Sequence, residues 1–216
     1  MTIALTPFAR YQRDLESPDF SPDESQEFAV RKLDDLYHRL LERDHLKVDT
    51  LSGFFNHIRS KLGAPAAIAP ERGLYFWGGV GRGKTYLMDM FFESLPFDDK
   101  MRMHFHRFMR RVHQELTDLQ GEKDPLLQVA KRISSEARVI CFDEFFVSDI
   151  TDAMLLAGLF EELFRRGVCL VATSNIEPDN LYRDGLQRAR FMPAIALIKL
   201  HTDCLLYTSP SPRDKT

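Results

Sequence analysis

Residues 73–89 read GLYFWGGVGRGKTYLMD, and the fold turns on this stretch. Leu74 to Trp77 has the length and composition of a buried strand. It runs into a glycine cluster. A helical pattern then opens near Lys84 and continues through Leu87, Met90 and Phe91. Gly78 to Thr85 fits the spacing G-x-x-x-x-G-K-[ST], with a strand before and a helix after. Gly78, Gly79, Val80, Gly81, Arg82 and Gly83 would turn backbone N–H groups toward phosphate oxygens at the positive end of the following helix. Lys84 supplies charge for the β and γ phosphates, and Thr85 a hydroxyl for Mg²⁺. Tyr86 is counted with this cofactor-binding group. A chance glycine turn would not carry the whole spacing in this context.

Working outward, Arg138 to Phe142 is an apolar strand that stops at Asp143-Glu144. A phosphate cradle needs a carboxylate at such a strand end to hold Mg²⁺, and an adjacent acid to polarise water. Asp143 is therefore expected at the metal and Glu144 as the base. A solvated acidic turn is the competing reading, and it weakens beside the glycine loop. Val168 to Ala172 is a further strand, ending at Thr173-Ser174-Asn175. Asn175 sits where α/β sheets place ligands and is expected to orient water, although Ser-Asn is also ordinary turn chemistry. Met101, Met103 and Phe105 alternate with Arg102, His104 and His106, the period of a strand with unlike faces. His104 and His106 lack a third nearby ligand and are expected to be ordinary histidines. Asp149 to Phe164 predicts an apolar helix, and Ala194 to Leu200 the last strand. Five strands with helical crossovers predict a mostly parallel sheet covered on both faces.

Before the sheet, Ser21-Pro22-Asp23-Glu24 predicts a helix start, with Ser21 as cap and Glu24 closing a capping box. Leu51 to Leu62 predicts a second amphipathic helix. After Asp203, LLYTSPSPRDKT (205–216) has no period and is expected to be a disordered or non-native tail. The division expected is 1–65 helical segment, 66–203 core and 204–216 tail.

The chain has 216 residues, 44% of them hydrophobic and 28% charged, enough for a real core. Its net charge of -3 disfavours a nucleic-acid partner. Three cysteines without metal-type spacing suggest a reducing compartment, and no run approaches the roughly 20 apolar residues of a membrane span. A cytoplasmic protein is expected, with peripheral membrane contact left open.

GLYFWGGVGRGKTYLMDMFF, MRMHFHRFM, CFDEFFVSDITDAM and TSNIEPDNLY together resemble the ZapE-type cell-division AAA+ ATPases of Gram-negative bacteria and their mitochondrial inner-membrane relatives. The resemblance spans roughly residues 8 to 203. It implies a P-loop ATPase of AAA+ type, sheet order 5-1-4-3-2, with Gly78 to Thr85 as Walker A, Asp143 and Glu144 as Walker B, and Asn175 as sensor 1. It places Arg188 and Arg190 in the arginine-bearing segment that reaches a neighbouring subunit, without choosing between them, and makes Gln26 an adenine-side candidate. It implies ATP and Mg²⁺ as cofactors, the division-ring protein FtsZ as partner, homo-oligomers, and a position in the cytoplasm or at the inner membrane or division site. Family members continue with a further segment, so the chain is expected to be truncated. Three functions stay open: ATP hydrolysis coupled to remodelling a protein, a nucleotide-gated binding module with little turnover, and, more weakly, a loader acting on nucleic acid.

Overall fold

The structure is a computed structural model and describes residues 5–18, 20, 22–49, 69–79 and 83–207. The expected helix over Leu51 to Leu62, the cap Ser21, the cradle residues Val80, Gly81 and Arg82, and residues 208–216 lie outside the described residues.

The elements are α1 (Pro7–Asp14), α2 (Glu24–Asp49), β1 (Gly73–Trp77), α3 (Gly83–Ser94), β2 (Lys100–His104), α4 (Phe105–Asp118), α5 (Pro125–Glu136), β3 (Val139–Asp143), α6 (Ile150–Arg165), β4 (Cys169–Ser174), α7 (Arg188–His201) and β5 (Thr202–Leu206). A 3₁₀ turn, Pro178–Asn180, follows β4. The five strands lie in the order β2-β3-β4-β1-β5 and every neighbouring pair is parallel. This is the expected 5-1-4-3-2 sheet.

The alternation of a strand divides the core in two. Tyr75, Ile140, Phe142, Leu170 and Ala172 face α4, α5, α6 and α7. Leu74, Phe76, Val139, Cys141, Cys169 and Val171 face α1, α2 and α3. Both faces are therefore apolar, which is why β1, β3 and β4 read as near-continuous hydrophobic runs. Cys141 and Cys169 are buried and free, as small core residues. Phe142 anchors the α4 side, with ring centroids 4.7 Å from Phe108 and 5.6 Å from Phe105.

Three expectations need correction. Ala194 to Leu200 belongs to α7, not to a strand. Its buried residues Phe191, Ala194, Ile195 and Ile198 recur at helical spacing. Pro193 obscures that period, because proline usually breaks a helix interior. The last strand is Thr202–Leu206, paired from Gly73↔Thr202 to Trp77↔Leu206. The sheet thus passes the boundary expected at 203/204, and Tyr207, 4% exposed, donates its N–H to the Trp77 carbonyl at 2.7 Å. β2 stops at His104, and Phe105 opens α4, so His104 and His106 are not on one strand. Their rings stack at 5.8 Å instead. At the start of α2, Asp23 Oδ1 accepts from the N–H groups of Ser25 at 2.9 Å and Gln26 at 3.3 Å, a cap the sequence reading did not assign. Helix α1 also goes beyond the sequence expectation. Thr6 caps it, and it packs on α2 and α3 through Tyr11 and the bond from the Tyr86 hydroxyl to Asp14 Oδ2, 2.8 Å.

Phe108 is fully buried against Phe142. Phe108→Ala should lower the unfolding free energy by about 3–5 kcal/mol, read from the urea midpoint. A loss below about 1 kcal/mol would contradict this packing.

Candidate nucleotide-binding site

In a parallel sheet all strand carboxyl ends share one edge, where α/β folds place ligands. Here that edge holds a cleft of about 270 Å³, lined by Lys84, Thr85, Arg102, His104, Asp143, Glu144, Thr173, Ser174 and Asn175. They come from β2, from the ends of β3 and β4 and the residue after each, and from the first turn of α3.

Gly78 leaves β1 at φ +147, and a Cβ there would lie 2.1 Å from the Tyr207 carbonyl oxygen. Only glycine fits that turn. Helix α3 then begins at Gly83, so Lys84 and Thr85 occupy its first turn. The Lys84 ammonium donates to the carbonyls of Gly78 at 2.6 Å and Gly79 at 2.9 Å and to Asn175 Oδ1 at 2.8 Å. Lys84 is 8% exposed, and burial pushes its ammonium below the usual lysine range. Thr85 is exposed at the same opening.

Asp143 ends β3, and Glu144 follows with φ 53. A side chain in this left-handed region costs about 1–2 kcal/mol. The neighbouring backbone holds it there. The Phe145 N–H donates to the Thr173 carbonyl at 2.7 Å, and the Ser174 hydroxyl donates to the Phe145 carbonyl at 2.7 Å. The Glu144 N–H reaches Thr173 Oγ1 at 3.4 Å. The bend turns Glu144 out of the core and leaves it exposed at the cleft.

Arg102, in the middle of β2, donates through Nε to Asp143 Oδ2 at 2.8 Å and through Nη2 to Asp143 Oδ1 at 3.4 Å. Its Nη1 binds Asp89 Oδ1 on α3. Burial opposes the charge on Arg102, but the bonds to Asp143 and Asp89 outweigh it and raise its pKa. Arg102, His104, Thr173 and Ser174 line the cleft without having been expected there. The alternation of β2 marked Arg102 and His104 as one polar face. Their place beside β3 follows only from the strand order.

The structure thus gathers Lys84, Thr85, Asp143, Glu144 and Asn175, and leaves Gln26, Tyr86, Arg188 and Arg190 out of the cleft lining. Gln26 is buried in the first turn of α2. The Tyr86 side chain turns to Asp14. Arg188 donates to the Asp179 carbonyl at 2.6 Å, within its own chain. Arg190 and Arg183 are exposed, with no side-chain partner among the described residues. Thr85 and Asp143 offer hard oxygen donors suited to Mg²⁺, and Lys84 a cation suited to phosphate, so these residues fit a magnesium nucleotide. Among the described residues no group of three or more His, Cys, Asp or Glu forms a metal cage.

Residues 5–214 match the AFG1-like ATPase family. The chain is 53% identical over 204 residues to the cell division protein ZapE of Escherichia coli K12, covering 94% of this chain and 54% of that protein. It is 34% identical to an uncharacterised protein of Schizosaccharomyces pombe, covering 97% of this chain and 52% of that one. The chain therefore spans about half the length of the curated relatives it matches. Among solved structures, domain III of the replication initiation protein DnaA of Thermotoga maritima matches with a TM-score of 0.54 at 17% identity. It covers 90% of this chain and 69% of that one. DnaI matches with a TM-score of 0.50 at 16% identity, covering 70% and 78%. These two likenesses show the P-loop fold alone.

Ser174 is 2% exposed; it donates to Phe145 and accepts from the Ile176 N–H at 3.0 Å. Ser174→Ala leaves both partners unmatched and should cost about 1–3 kcal/mol in calorimetric unfolding. An unchanged melting curve would contradict the account of how the Glu144 bend is held. With its strand-end cleft, phosphate-type lysine and adjacent acids, this chain belongs to the AFG1-like ATPase family.

Proposed function

We propose that the cleft binds ATP with Mg²⁺ and hydrolyses it, and that hydrolysis is coupled to remodelling a protein partner. The observation that carries this reading is the convergence of Lys84, Thr85, Asp143, Glu144 and Asn175 on one cleft. A bound Mg²⁺ would supply positive charge beside the phosphates. Thr85 and Asp143 would hold that metal.

In this mechanism Lys84 exchanges its two loop carbonyls for phosphate oxygens, keeping Asn175 as its neighbour. The Glu144 carboxylate, turned outward by its left-handed backbone, accepts a proton from the attacking water. Asn175 fixes that water from the adjacent strand end. Gly78 to Gly83 wrap the phosphates, Tyr86 adds its backbone at the start of α3, and Gln26 contributes to the adenine side. Arg190 is the stronger candidate for a finger reaching a neighbouring subunit. It is exposed and has no side-chain partner among the described residues, whereas Arg188 is bonded to Asp179.

The partner we propose is the division-ring protein FtsZ. The resemblance in sequence motivates it, and the likeness to a cell division protein supports it. A place in the bacterial cytoplasm, with peripheral contact at the inner membrane or division site, accords with this role. No described helix is long and apolar enough to cross a membrane.

The test is ATP turnover across a range of protein concentration for the wild type, Glu144→Gln and Arg190→Ala. Turnover should rise faster than linearly in the wild type. It should fall about 10²–10⁴-fold in Glu144→Gln and by a similar order in Arg190→Ala, with nucleotide binding kept in both. Binding without turnover in the wild type at every concentration would replace this reading with a nucleotide-gated docking module.

A further inference from the structure

We propose that Arg102 is a positioning residue that competes with Mg²⁺ for Asp143, so that the metal is taken up only as Arg102 releases this carboxylate. The inference rests on the nucleotide reading above. Its starting point is geometric. The Arg102 fork covers both Asp143 oxygens, at 2.8 and 3.4 Å. The remaining nitrogen reaches Asp89 on α3.

Strand register puts this pair in place. Arg102 lies opposite Cys141, and Asp143 is two residues further along the same strand. Side chains two apart share a sheet face. That face is the one covered by α3, because Cys141 packs there with Leu87, Met88 and Phe91. Arg102 therefore sits between the carboxylate at the end of β3 and the helix that carries Lys84 and Thr85. It ties together the two elements that would clasp the phosphates and the metal.

The two ends of the tie differ. The Arg102 and Asp143 side chains are only 19% and 14% exposed, whereas Asp89 is 51% exposed. The Asp143 end is thus less screened by solvent and is the stronger contact. A carboxylate whose charge is already matched by a two-toothed guanidinium is a poorer metal ligand than a free one. Asp89 offers the guanidinium an exposed anchor once Asp143 turns to the metal. Arg102 can then stay beside α3 without following Asp143.

The experiment follows binding of a fluorescent N-methylanthraniloyl ATP to the whole chain as Mg²⁺ is raised from an EDTA baseline. It compares the wild type with Arg102→Gln. The half-saturating Mg²⁺ should fall about three- to tenfold in the variant. Binding in EDTA should stay within about twofold of wild type, because Arg102 is matched by two carboxylates rather than acting on phosphate. An unchanged or higher Mg²⁺ requirement would overturn the proposal. So would a loss of EDTA binding beyond about tenfold, which would make Arg102 a phosphate ligand. Arg102→Lys keeps the charge but not the fork, so it should shift the Mg²⁺ requirement in the same direction by less. It decides the question by the same readout if Arg102→Gln does not fold. A wild type that binds no nucleotide at any Mg²⁺ concentration would instead sink the nucleotide reading itself.

Discussion

The structure depends on how it keeps a charged ammonium inside the sheet edge. A buried, unpaired charge is too costly to survive in a folded chain. The Lys84 ammonium is kept by two loop carbonyls and Asn175 Oδ1. Those partners come from the end of β1 and the residue after β4, while the lysine itself comes from the start of α3. Three separate parts of the chain are thus held at one point. Their relative positions are the geometry a phosphate group would meet. Burial works against the ammonium charge.

Around that point the cleft balances its charges. Lys84 and Arg102 face Asp143 and Glu144. Asp143 is engaged by Arg102, while Glu144 is held out of the core by a strained backbone and by its neighbours' bonds to Thr173 and Ser174. Two adjacent acids on one strand end are therefore given different surroundings. One is tied to a cation, and the other is left solvent-facing. The division comes from the backbone: a single left-handed residue after β3 sends consecutive side chains in different directions.

Much of this was legible in the sequence. The parallel sheet followed from apolar runs that end in polar residues, and Lys84, Thr85, Asp143, Glu144 and Asn175 follow from the positions of those ends. What was not legible has physical causes. Pro193 masked the helical period of α7, so the last strand was placed too early and Leu205–Leu206 was counted with the tail. Arg102 was invisible as a site residue because its partner is defined by the neighbouring of β2 and β3, a fact of topology. The cap at Asp23 was not singled out, since Asp and Ser cap equally well and both stand in the same short stretch. Arg188 and Arg190 could not be separated by spacing, and the bond from Arg188 to the Asp179 carbonyl depends on the fold rather than on spacing.

The central claim is that the buried ammonium of Lys84 is the phosphate anchor. Its most direct test is isothermal titration of ATP and of AMP, each with Mg²⁺, into the wild type and Lys84→Ala. The account predicts that the wild type binds ATP far more tightly than AMP and that Lys84→Ala loses this preference. Equal affinity for the two nucleotides in the wild type, or an undiminished preference for ATP in Lys84→Ala, would contradict it.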